Sequence, residues 1–170
     1  ESVRRALVDC KDEDIIIISD ADEIPNPEIL KELNTLSLDS TIYSLAQPMY
    51  SYYINMLSDS DWYGSKLGLY KNVKELSFNE IRGDSNLTTK LPNGGWHLSF
   101  MGGEEMVRKK ITSYSARDLV NDQVLSSIKN NIDNDQDVFF RGKLTKVEVD
   151  GTYPDYILKN LDKYGSMIKQ

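Results

Sequence analysis

The sequence Asp20-Ala21-Asp22-Glu23 is the densest local grouping of hard oxygen donors that also follows a strongly apolar run, Ile15 to Ile18. Two carboxylates separated by one residue point to the same side of an extended segment. At the carboxyl end of a strand they stand where open α/β sheets bind ligands. Paired carboxylates with open positions suit Mn²⁺ or Mg²⁺ carrying a phosphorylated substrate. The pair alone says little, because Asp-x-Asp also occurs at 12/14, 59/61, 133/135 and 135/137. Only 20/22 terminates a strand-like run, so the context carries the weight.

A second grouping is Gly94-Gly95-Trp96-His97-Leu98-Ser99-Phe100. The glycines permit close backbone approach to a ligand. Trp96 offers a flat apolar face for a sugar or base. His97, the only histidine, is a candidate third ligand for Mn²⁺. Glu104 and Glu105 open the helix that follows, where the dipole favours their ionised form. Asp133, Asp135 and Asp137 alternate like the start of a calcium loop. The sixth and twelfth positions of that register are Val138 and Leu144 instead of Gly and Glu, so a solvated turn is expected there.

Elements must position these groups. Residues 2–10 are expected to form a short helix with Val3, Ala6 and Leu7 on one side. The β-branched run at 14–19 is expected to be a strand buried on both faces. Asn26-Pro27-Glu28 is a helix start, and Ile29, Leu30, Leu33 and Leu36 form its apolar stripe. Strands are expected within 41–57, at 66–70, at 96–100 and at 146–149. Helices are expected from Glu104, around 123–131 and over 154–163. Turns fall at Asn93-Gly94-Gly95 and Gly102-Gly103. Together these give one α/β unit spanning 1–170.

Composition narrows the functions. The chain has 170 residues and a formal net charge of −7, which disfavours binding to nucleic acid. One cysteine and one histidine exclude a disulfide framework and a Cys/His zinc cage. No apolar run is long enough to span a membrane. The chain opens on Glu1 rather than Met, and is expected to be part of something longer. The sequon Asn86-Leu87-Thr88 matters only in a secreted chain.

Taken in order, "IIIISDADEIP", "GGWHLSFMGGEEMVRKKI" and "YPDYILKNLDKYGSMI" resemble glycosyltransferase family 17, the β-1,4-mannosyl-glycoprotein 4-β-N-acetylglucosaminyltransferase group. The resemblance implies a GT-A-like, Rossmann-like mixed sheet flanked by helices, here N-terminally truncated. The family carries a longer stretch before its D-x-D, and only 19 residues precede Asp20. It implies an inverting transfer of a sugar, N-acetylglucosamine in the family's characterised members, from a UDP-sugar to a glycan or glycoprotein acceptor, as in N-glycan processing. Asp20 and Asp22 match the D-x-D; His97, Ser99, Glu105 and Lys110 match the second segment and its helix. On this reading Mn²⁺ or Mg²⁺ sits on Asp20 and Asp22, and Glu105 is the base, with Glu104 and Glu23 as alternates. Trp96 and the tyrosines from Tyr50 to Tyr53 wall the acceptor. Arg82 and Lys110 contact the diphosphate. The compartment is cytoplasmic for a microbial or viral source and the Golgi lumen for a membrane-anchored eukaryotic parent.

Rival readings are a haloacid-dehalogenase-like Mg²⁺ phosphatase and a non-catalytic carbohydrate-binding remnant. The first wants Thr or Val at position 24, which is Ile24 followed by Pro25. A Ser/His/Asp hydrolase lacks the nucleophile elbow.

Overall fold

The computed structural model describes residues 2–83, 88–113 and 119–170. The sequon and the segment just after Ser113 therefore fall largely outside the described residues. The chain is α/β, with mixed sheets and helices. It divides into two compact units, residues 1–47 with 62–95, and residues 48–61 with 96–170. Among the described residues no helix is long and apolar enough to cross a membrane.

The first unit holds strands β1 (Ile15–Ile18), β2 (Glu23–Pro25) and β3 (Ile42–Leu45). It also holds helices α1 (Ser2–Arg5) and α2 (Glu28–Glu32). β4 (Gln47–Ser51) and β5 (Met56–Trp62) come next in the chain, then β6 (Lys66–Leu69), α3 (Tyr70–Val73), α4 (Phe78–Gly83) and β7 (Thr88–Leu91). The main sheet runs β1-β6-β3-β7, antiparallel except for the parallel pair β3/β7. Ile29, Tyr43, Leu45 and Leu67 form one apolar cluster of this unit; Ile42, Val73 and Ile81 form another. Asn26 accepts the Glu28 amide at 3.0 Å, but the helix starts one residue later than its pattern predicts, with Pro27 rather than Asn26 at the cap.

The isoleucine strand departs from expectation. β1 is an edge strand, antiparallel to β6, with Ile16 buried but Ile15 and Ile17 exposed by 41% and 36%. Branching at Cβ favours the extended backbone; it does not choose a central place in the sheet. The expected helix over 2–10 stops at Arg5.

The second unit sets β4 beside β8 (Gly95–Ser99) in parallel, with Met49 opposite His97 and Ser51 opposite Ser99. β5 follows β4 in the sheet and pairs antiparallel with β9 (Thr145–Lys146). Helices α5 (Gly103–Thr112) and α6 (Asp122–Asp133) pack Val107, Ile111, Val124 and Ile128 into a core with Tyr52, Met56 and Phe100. Asn121 caps α6 by accepting the Val124 amide at 3.0 Å. The expected helix over 154–163 is split into α7 (Asp155–Leu158) and α8 (Leu161–Tyr164), because Asn160 leaves the helical backbone between them. The chain's last residues are tied in: Ile54 donates to the Met167 carbonyl at 2.9 Å. The Asn55 amide exchanges two bonds with the Lys169 backbone, at 3.0 and 2.8 Å.

The acidic turn at 133–137 is solvated at Asp133, as expected, but not at Asp137. Asp137 is buried and takes two bonds from Arg141, at 2.9 and 2.7 Å, and one from the Phe139 amide at 2.8 Å. Asp135 pairs with Lys169 and Asp133 with Lys129. All three carboxylates are paired with a basic side chain, Asp137 in the interior and Asp133 at the surface.

Candidate active site

In the first unit the D-x-D segment is a turn rather than an extended run. The Glu23 amide donates to the Asp20 carbonyl at 3.0 Å, which closes four residues on themselves. Asp20 and Asp22 are thus the first and third residues of a turn that leaves β1, and the same-side argument for an extended segment does not apply. Asp20 is half-exposed, and its Oδ1 takes a 2.5 Å bond from Arg82. Arg82 is carried there by α4. That helix begins with a reciprocal cap in which the Ser77 amide donates to Glu80 at 2.7 Å and the Glu80 amide donates to Ser77 at 3.2 Å.

Glu23 is buried beneath the turn. Its Oε1 accepts the Trp62 indole N–H at 2.5 Å, and Oε2 accepts the Ser65 hydroxyl at 2.8 Å and the Asp20 amide at 3.1 Å. Arg82 lies 3.7 Å from Oε1. Gly64 is required here, since a Cβ at that position would fall 2.1 Å from both Glu23 Oε1 and Trp62 Nε1. The buried Lys66 ammonium donates to the carbonyls of Tyr63 and Gly64 and braces the same loop. Burial lowers the Lys66 pKa, partly offset by the Glu23 charge.

In the second unit Ser51 and Ser99 stand opposite each other near the carboxyl ends of parallel strands. The residues that follow, Tyr52 and Phe100, both adopt left-handed backbone, with φ of 69° and 55°. Such strain in aromatic residues needs support from the surrounding packing. The Tyr52 amide donates to the Ser99 carbonyl at 3.2 Å and both rings lie in the core. Lys110 donates to Ser99 Oγ at 3.1 Å and lies 4.6 Å from the centre of the Phe100 ring. Ser51 Oγ is buried, with no hydrogen-bond partner among the described residues.

His97 is buried on β8. Trp96 packs with Tyr50 and Tyr153 and donates to the Thr152 carbonyl at 3.0 Å. The Trp96 ring is therefore placed in a core cluster, as are Tyr50 and Tyr52, while Tyr53 is half-buried. Glu104 and Glu105 are exposed in the first turn of α5, and Glu104 pairs with Arg108 at 3.2 Å. The glycines before Trp96 serve the chain itself: a Cβ on Gly95, whose φ is 132°, would fall 2.0 Å from the Ile24 carbonyl.

The structure thus gathers Asp20, Glu23 and Arg82 in one unit, and Ser99 with Lys110 in the other. Among the described residues no three His, Cys, Asp or Glu side chains gather as a metal-binding group. Sequence reasoning missed Trp62, Ser65 and Lys66, which reach Glu23 or its loop only through the β1/β6 pairing. The Ser77-x-x-Glu80 capping signature was the one local signal that could have located α4 and so Arg82.

Searches among curated proteins and among solved structures gave no match. The model of glycosyltransferase family 17 matches residues 2–165. That span takes in the acidic turn, the Gly-Trp-His strand and the helix after it, and on this match the chain belongs to glycosyltransferase family 17.

Proposed function

We propose that this glycosyltransferase moves a sugar, N-acetylglucosamine by the family resemblance, from a UDP-sugar to a glycan or glycoprotein acceptor with inversion at the anomeric carbon. The observation that carries the reading is the turn Asp20–Glu23, which presents a half-exposed carboxylate beside an arginine at the end of β1.

The donor set fits a hard divalent cation that arrives with a diphosphate. Asp20 and Asp22 stand at the first and third positions of one turn, with Asp20 also paired to Arg82, and among the described residues no group of three His, Cys, Asp or Glu side chains gathers. Mg²⁺ and Mn²⁺ are commonly held in this way, by one or two carboxylates with phosphate oxygens and water completing the shell. A divalent cation held by Asp20 and Asp22 would supply positive charge against the departing nucleotide. Arg82 adds a fixed positive charge beside the same turn. We take Glu105, exposed in the first turn of α5, as the base for the acceptor's proton, with Glu104 as its alternate. As that proton leaves, the acceptor oxygen bonds to the anomeric carbon and the bond to the diphosphate oxygen breaks.

The test is calorimetric titration of the whole chain with UDP in the presence and absence of Mn²⁺, alongside Asp22→Ala. Mn²⁺-dependent binding that disappears in the variant supports the reading. Equal binding by both proteins removes the turn from the mechanism.

A further inference from the structure

We propose that Glu23 is the positioning residue of the Asp20–Asp22 turn, holding it through the Asp20 backbone amide rather than acting on substrate. The proposal rests on the reading of that turn as a cation–diphosphate site. The Glu23 side chain is only 1% exposed. Three donors within 3.1 Å use both of its oxygens: Trp62, Ser65 and the Asp20 amide. An acceptor hydroxyl would have to displace one of them, which argues against Glu23 as the base.

The arrangement fixes the turn twice. The Glu23 amide donates to the Asp20 carbonyl at 3.0 Å, while the Asp20 amide donates back to the Glu23 carboxylate at 3.1 Å. The carboxylate is itself anchored from the far side by Trp62 and Ser65, which flank the close-packed Gly64. Ser65 Oγ lies 3.3 Å from the fully buried Gln47 amide. Ser65 Oγ also stands 2.6 Å from Ser19 Oγ, so the hydroxyl that donates to Glu23 is itself held by a second serine. A buried carboxylate is costly unless its donors are in place. Moving the turn would break the hydrogen bond from the Asp20 N–H to Glu23, so the Asp20 backbone is held where the carboxylate is held. This is the relationship of an outer hydrogen-bonding residue to a metal ligand.

The experiment measures binding of Mn²⁺ with UDP to the whole chain by the loss of the free Mn²⁺ paramagnetic resonance signal. Hydrogen exchange across residues 19–23 is followed in parallel. Glu23→Gln places an NH₂ against donors and is expected to weaken Mn²⁺–UDP binding by about 10–100-fold, with faster exchange at Asp20. Trp62→Phe keeps the ring, removes one donor, and is expected to weaken binding several-fold; it carries the test if Glu23→Gln does not melt cooperatively. Asp22→Ala is the reference. If Asp22→Ala binds as tightly as the native chain, the cation reading falls and the role of Glu23 with it. If Asp22→Ala loses binding while Glu23→Gln or a folded Trp62→Phe keeps it, the positioning role alone is overturned. A weakened Glu23→Gln with unchanged exchange at Asp20 also overturns it.

Discussion

The Trp62 indole N–H meets the buried Glu23 carboxylate at 2.5 Å, and the space between them and the backbone is so small that only Gly64 fits. Gly64→Ala forces the pair apart or shifts the loop. The cost expected for such overpacking is about 1–3 kcal/mol. Urea unfolding checks this, and an unchanged midpoint would mean that the contact is slack. The emission of Trp62, read against a Trp96→Phe background, should shift in the same variant.

Acid stability should depend on Asp137. Burial pushes its carboxyl up, but the Arg141 bonds and charge, with the Phe139 and Arg141 amides, outweigh that and hold it below the ordinary 3.8. The folded value lies below the unfolded one. Its contribution to stability is therefore complete above the ordinary value and is lost as pH falls through the folded value. Asp137→Asn is expected to lower stability at neutral pH by about 1–3 kcal/mol. It should also flatten the loss of melting temperature between pH 5 and pH 2. A variant with the native chain's acid slope contradicts the assignment.

Two isoleucines separate central from marginal packing. Ile111 is fully buried in the second unit, whereas Ile15 on the edge strand is 41% exposed. Ile111→Ala is expected to cost about 2–5 kcal/mol, and Ile15→Ala about half a kcal/mol. Parallel denaturation curves decide it. A large loss at Ile15 would show that β1 is covered in solution.

The neighbouring glutamates of α5 should differ in function. Glu104 pairs with Arg108, so Glu104→Gln should leave transfer nearly intact. Glu105→Gln should reduce kcat by about 10²–10⁴-fold, the range for loss of a general base, with little change in UDP affinity. A reversed order would move the proton-accepting role one residue back.

Much of this was legible in the residues, and the failures share a cause. The helix start just after Asn26, the strands near 43, 67 and 97, and the buried stripe of α5 follow from local pattern. The family match was legible in three segments. Local pattern could not say that the isoleucine strand lies at an edge, because neighbours along the sheet come from residues 66–69 and 42–45. Nor could it say that Asp137 is buried, since that depends on Arg141 folding back. Asp20 and Asp22 were read as extended because they follow a strand. The carboxylate and amide of Glu23 instead bend the backbone into a turn. The glycines at 94 and 95 looked like room for a ligand and proved to be room for the chain's own backbone.

The paired bonds between Asn55 and Lys169 bear on how the protein is made. These partners are 114 residues apart in the chain. During synthesis the first unit has all of its residues once Gly95 has left the ribosome, while the second must wait for a segment translated far later. Until then the bonds from Asn55 to the last residues cannot form, so the two halves should mature at different moments of translation, the N-terminal one first.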